Sequence, residues 1–144
     1  MSKKKKIIII VSSVTAAVLI VAGTLLGVFL KDLSDYQEEV KNIKIEDIDI
    51  SALADGKYTG SHEVKYILAH LLAEVEVTVV DGKITKIDLL SNVTTKDDVP
   101  GTIINEVIAQ QTLKIGFITG ATNSSKVVLK AIETALNSTP VSIT

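Results

Sequence analysis

The chain has no cysteine, which removes disulfide staples, a thiol nucleophile, cysteine-ligated iron–sulfur centres and a lipid-modified cysteine. An oxidising compartment is not excluded by that absence. Acidic residues are missing from the first 30 positions, and residues 7–30 carry no charge of either sign. Beyond residue 30 the shortage reverses. All 17 Asp and Glu lie there with only 11 lysines, a formal charge of −6 that the whole-chain value of −2 conceals. Such a segment lacks the basic clusters that neutralise phosphates, which argues against a nucleic-acid surface. Also missing is the Gly-x-x-x-x-Gly-Lys-Ser/Thr loop of nucleotide hydrolases, so an ATPase reading is poor.

What is present begins with Lys3-Lys4-Lys5-Lys6, followed by 24 uncharged positions rich in Ile, Val, Leu and Ala. As a helix this run spans about 36 Å, enough for a hydrocarbon layer of roughly 30 Å. It reads as one transmembrane anchor, with residues 1–6 a cytoplasmic basic tail and residues 31–144 outside, since basic flanks set orientation. A secretory signal is the alternative. Its apolar region is usually shorter, and no small-x-small cleavage site precedes Lys31. Gly23 and Gly27 form a Gly-x-x-x-Gly pair, a weak helix-dimerisation signal.

The 114 residues after the anchor suit one compact domain. Leu33, Tyr36 and Val40 recur at helical spacing, so a short juxtamembrane helix and then a polar stalk through Asp49 are expected, with residues 31–54 a linker. That linker either spaces the domain from the bilayer or, as the preferred reading, packs against the first domain element. The folded domain is expected over residues 55–138, and residues 139–144 form a tail. Asp55-Gly56 supplies turn chemistry, and Tyr58-Thr59 suits an early strand. Gly60 fits a bulge, a turn or a close approach to a ligand.

His62, Glu63 and His70 do not form a compact metal motif, and no metal site is assigned. Tyr66 reads as a packing residue. Glu74-Val75-Glu76-Val77-Thr78-Val79 alternates with the period of a half-buried strand. Asp81-Gly82 then turns it into a second strand over residues 83–89. Glu74 and Glu76 share a face, which reads as the solvated one, and no catalytic residue is assigned. Asn92-Val93-Thr94 satisfies the minimal glycosylation sequence within a polar loop. Pro100-Gly101 reads as a breaker before a helix that places Ile104, Val107, Ile108 and Gln111 on one side, with Thr102 available to satisfy its first amides.

Near the C-terminus, Thr119-Gly120-Ala121-Thr122 leads through Asn123-Ser124-Ser125 into a stripe of Ser125, Val128, Leu129, Ile132, Ala135 and Leu136. Thr122, Asn123 or Ser124 could cap this helix. Alternatively, its free amides and positive dipole end could hold a phosphate. Lys126 could fold toward that phosphate or lie in solvent.

These residues resemble the small FMN-binding domain family, also found in the FMN-carrying subunits of sodium-pumping NADH:quinone oxidoreductases and Rnf complexes. The likeness runs from about Asp55 to Leu136. It is carried by Asp55-Gly56-Lys57-Tyr58-Thr59-Gly60, by Val77 through Ile87 around Asp81-Gly82, and most specifically by Thr119-Gly120-Ala121-Thr122-Asn123-Ser124-Ser125. The resemblance implies a compact α/β domain with a β-hairpin and packed helices behind one transmembrane helix, carrying FMN outside the cytoplasm. It implies electron transfer to or from a redox protein or quinone-linked complex, as a carrier more than an independent enzyme. In relatives the last threonine of this motif can be esterified to the FMN phosphate by a separate flavin transferase, a role that maps onto Thr122. Thr119, Gly120 and Ala121 would shape the attachment segment. Asn123, Ser124, Ser125 and, as a further candidate, Lys126 would surround the phosphate, and Tyr58, Tyr66 and Phe117 are candidate ring neighbours. One departure stands out: the family commonly has an aspartate three residues before the motif, where this chain has Gly116. Two other readings stay open, a binding or structural module that has lost flavin transfer, and a quinone or small-acceptor reductase.

Overall fold

A computed structural model describes residues 1–67, 69–93, 98–116 and 122–143. Its first element is α1 (Lys3–Asn42), capped by Ser2, whose side chain accepts from the Lys5 amide. Residues 7–30 are exposed on every side of this helix, the expected state of a surface whose solvent is lipid. The helix is long and apolar enough to cross a membrane.

The juxtamembrane helix expected from the sequence is present as a direct continuation of the apolar run: α1 is unbroken through residue 42. No proline or glycine interrupts residues 28–42, and Tyr36 and Val40 are buried in the domain core. The last turns of α1 are therefore held by packing that an isolated helix end lacks. The following stretch, expected as a polar stalk, lays Ile43, Ile45 and Ile48 against that core. Its backbone is pinned as well. The Glu46 amide donates to Glu133 Oε2 at 3.1 Å. Asp47 Oδ1 accepts from the Leu113 amide at 3.1 Å and the Thr112 hydroxyl at 2.9 Å. The Leu113 amide is the main reason the Asp47 carboxyl sits below its ordinary 3.8, aided by Thr112 and Lys114. A 3-10 turn at Ile50–Ala52, capped by Asp49, buries Ile50.

Three strands follow, β1 (Gly56–Lys65), β2 (His70–Val80) and β3 (Lys83–Val93), paired antiparallel in the order β1-β2-β3. In β2, Leu71, Ala73, Val75, Val77 and Val79 all point into the core, as a period of two requires. Asp81 and Gly82 have φ of 52° and 67°, the signs a type I′ hairpin needs. The expected hairpin is therefore present, and the pairing shifts register twice along it.

Two helices cover one face of the sheet. The first, α2 (Val99–Gln110), starts before Pro100 rather than after it. A proline in the first turn removes an amide that has no partner there, so Pro100 opens this helix and does not break it. Thr102 does not cap the first amides, because its hydroxyl donates to the Asp98 carbonyl at 3.0 Å. Gln111 ends α2 in the left-handed region and clamps β3, exchanging side-chain hydrogen bonds with the Ile84 amide and carbonyl.

The second, α3 (Thr122–Leu136), packs across β1 and β2. All six residues of its expected apolar stripe are buried. Gly60 serves this contact. A Cβ at residue 60 would stand 2.2 Å from the Ala135 nitrogen and 2.7 Å from the Ala131 carbonyl oxygen. Its backbone is neither bulged nor left-handed, so the glycine is there to let the helix backbone reach the strand.

Candidate functional site

The site expected from the sequence lies at the N-terminal end of α3. Thr119, Gly120 and Ala121 fall outside the described residues, as do Phe117 and Thr94. Thr122 is the first residue of α3 and is exposed. Beneath it Ser124 and Ser125 are fully buried, and Asn123 is half-buried. The four residues thus form the first turn of α3, with Thr122 exposed at its tip.

That turn rests on α1. The Asn123 side-chain amide donates to the Tyr36 hydroxyl at 3.2 Å. Tyr36 also meets Tyr66 edge to face, with ring centroids 6.0 Å apart. The Tyr66 hydroxyl donates to Glu39, and this bond, first among its causes, pushes the phenol up to about 12. Sequence reasoning missed Tyr36 as a neighbour of the site. Its helical spacing marked it as a packing position, and no local pattern links it to a residue 87 positions away.

Lys126 has another position than the two weighed from the sequence. Its ammonium donates to the carbonyls of Val40 and Lys41, both at 3.0 Å. These are among the last carbonyls of α1 and sit at the negative end of its dipole, the Val40 carbonyl also accepting from the Ile43 amide at 3.3 Å. Lys130 reaches further along, to the Lys44 carbonyl and to Glu133 Oε1 at 2.7 Å. Two lysines of α3 thereby fasten the exit of α1.

Most of the other singled-out residues have structural partners. Tyr58 is buried, and its hydroxyl donates to the Ala54 carbonyl at 2.7 Å. Glu76 pairs with Lys57 at 2.7 Å. His70 lies 2.8 Å from Glu63. His62 Nε2 is buried and has no hydrogen-bond partner among the described residues. Burial, followed by the Lys130 charge, lowers its pKa from the ordinary 6.5, against the opposing pull of Glu39 and Glu133.

The donor set at the start of α3 fits a phosphate group. Thr122, a hydroxyl-bearing residue, is exposed at the tip of a 15-residue helix whose positive dipole end lies there. Tyr58 offers nothing to a ring, being enclosed and already bonded. Gly116 is exposed, and no described atom lies within 4 Å of where its Cβ would be.

Fold and anchor define the class: an α/β domain outside the cytoplasm, held by a single apolar N-terminal helix. Residues 73–137 match the FMN-binding domain family. That match runs from Ala73 within β2 through the hairpin and α2 to the end of α3 and includes Thr122, so this part of the anchored domain is similar to FMN-binding domains. Domains of this family are typically part of membrane redox complexes. The chain matches no curated protein and no solved structure.

Proposed function

We propose that this protein carries FMN at the start of α3 and passes electrons to or from a redox partner at the outer membrane surface. The observation that carries this reading is the family match over residues 73–137, which includes the exposed Thr122 and the turn beneath it. Bound there, the flavin would supply one- or two-electron exchange. The chain's own residues supply position. Thr122 offers its hydroxyl to the phosphate, and the positive end of the α3 dipole favours the negative charge. Thr119, Gly120 and Ala121 shape the approach, while Asn123, Ser124 and Ser125 hold the turn against α1 and the sheet.

Attachment through a phosphoester at Thr122, made by a separate flavin transferase, is the finer form of the proposal. Full-length protein purified from a host with an active transferase should be yellow, and a flavin should stay with the chain through denaturation. Thr122→Ala should abolish that denaturation-resistant flavin, and peptide mass analysis should place the adduct on residue 122. Retention of the adduct in Thr122→Ala would refute the attachment site. Noncovalent carriage is the second reading, favoured by Gly116 standing where the family commonly has aspartate. It predicts a flavin that leaves the chain on denaturation and separates from the precipitated protein.

A further inference from the structure

The β1–β2 connection is Tyr66-Ile67-Leu68-Ala69, four residues without a glycine, proline, asparagine, aspartate or serine. Turns that face water draw on those residue types, and this tip has none. The Tyr66 amide donates to the Ala69 carbonyl at 2.7 Å, which joins the two strand ends beside Ile67. Ile67 is 77% exposed, which in water would be an unfavourable place for an isoleucine.

Its location relative to α1 explains the choice. The Ile67 amide donates to Asp32 Oδ1 at 3.1 Å. A helical side chain leans toward the N-terminus and covers the turn before its own Cα. The Asp32 carboxylate therefore holds the tip alongside the last turn of the apolar run. Consistently, Ile67 shares a groove with Leu25, Val28, Phe29 and Asp32. Leu25 lies five residues before the end of the uncharged run, about 7 Å deeper along the helix. Lys31 and Asp32 fix the adjoining level as the polar boundary. The tip cannot swing away freely, because Tyr66 is tied to Glu39 and packs on Tyr36.

We propose that Ile67 is a membrane-contact residue, with its side chain at the headgroup–acyl boundary of the outer leaflet beside the anchor. The apolar face of α1 from Leu25 to Phe29 and the exposed Ile67 side chain form one continuous lipid-facing surface. An apolar residue at this depth adds to membrane attachment and fixes the domain's tilt. The domain thus has two contacts with the bilayer, the helix and the tip. This inference rests on the anchor and is independent of flavin.

The absence of cysteine makes the test direct, since any introduced cysteine is a unique labelling site. Full-length Ile67→Cys, Val18→Cys and Lys83→Cys, each carrying an environment-sensitive fluorophore, are reconstituted in phosphatidylcholine vesicles. The vesicles contain lipids with a nitroxide either high or deep in the acyl chain. Val18 lies in mid-span and Lys83 in the hairpin at the far end of β2. The residue 67 label should emit to the blue of the residue 83 label and lose about half its emission to the shallow nitroxide. The residue 18 label should be quenched by the deep nitroxide, and the residue 83 label by neither. A residue 67 label unquenched by the shallow nitroxide overturns the inference, whether it behaves like residue 83 or is blue-shifted by protein cover. If residue 18 also escapes quenching, the anchor reading falls with it.

Discussion

Thr122 and Gly116 are the residues on which cofactor attachment turns, and they make opposite statements. Thr122 has the exposure and helix-terminal position a phosphoester needs, whereas Gly116 removes a carboxylate common in the family. Because no described atom lies within 4 Å of a Cβ at residue 116, Gly116→Asp should fold as well as the parent. If transferase recognition limits attachment, that variant should show a larger fraction of denaturation-resistant flavin by in-gel fluorescence. An unchanged fraction would show that the glycine is not what limits it. Gly60 is the opposite case among the glycines. Gly60→Ala forces a methyl into the backbone of α3, and a loss of about 3 kcal/mol or more is expected in urea unfolding, above the common cost of overpacking. His62 gives the fold an acid-side sensitivity. Its folded pKa lies below the unfolded one, so its contribution is fully present above about 6.5 and is lost as pH falls toward the folded value. Lys130, Glu39 and Glu133 are the charges acting on it. His62→Asn should therefore flatten the decline in melting temperature between about pH 7.5 and 5.5. An equal decline in parent and variant would assign the sensitivity elsewhere.

Among the elements, the hairpin and α3 were legible because each is written locally. Alternation from Glu74 to Val79 and the Asp81-Gly82 turn specify two strands without reference to distant chain, and α3 carries its own apolar stripe. The start of α2 was misread because Pro100 breaks or opens a helix according to its position in the first turn, and Pro-Gly looks the same in either case. The single α1 was not legible either. A change from lipid-facing to core-facing environment near residue 31 alters composition without interrupting the helix. Partners of the candidate turn were hidden for a related reason, since Tyr36 and the carbonyls of Val40 and Lys41 reach α3 only through the fold. The lysine clamp on the exit of α1 has a measurable consequence. Lys126→Met keeps most of the stem packing but removes the charge from two helix-end carbonyls, and a loss of about 1 kcal/mol is expected in urea unfolding. No change would mean the ammonium is as well solvated without those carbonyls.

For the whole molecule, the position of the first core residues sets the relation between domain and membrane. Tyr36 and Val40 are buried within ten residues of Leu30, so little chain separates the apolar run from the domain core. A fragment of residues 31–144 retains Tyr36, Val40 and Ile50, whereas a fragment of residues 55–144 loses all three. The shorter one should be less stable by about 5 kcal/mol, from roughly 1.5–3 kcal/mol per buried apolar side chain. Equal urea midpoints for the two fragments would return residues 31–54 to the role of linker. That short separation also keeps the start of α3 close to the end of the apolar run. Asn123 bonds Tyr36, which lies six residues beyond Leu30 and so about 9 Å above the end of the apolar run. A cofactor at Thr122 would sit where a membrane-bound redox partner can approach. The most direct test of flavin carriage is the visible absorption spectrum of the full-length protein, purified in detergent from a host with flavin and an active transferase. The account predicts the absorption bands of oxidised flavin, bleached by a chemical reductant and restored by air. A colourless protein that stays colourless after saturation with FMN would contradict it.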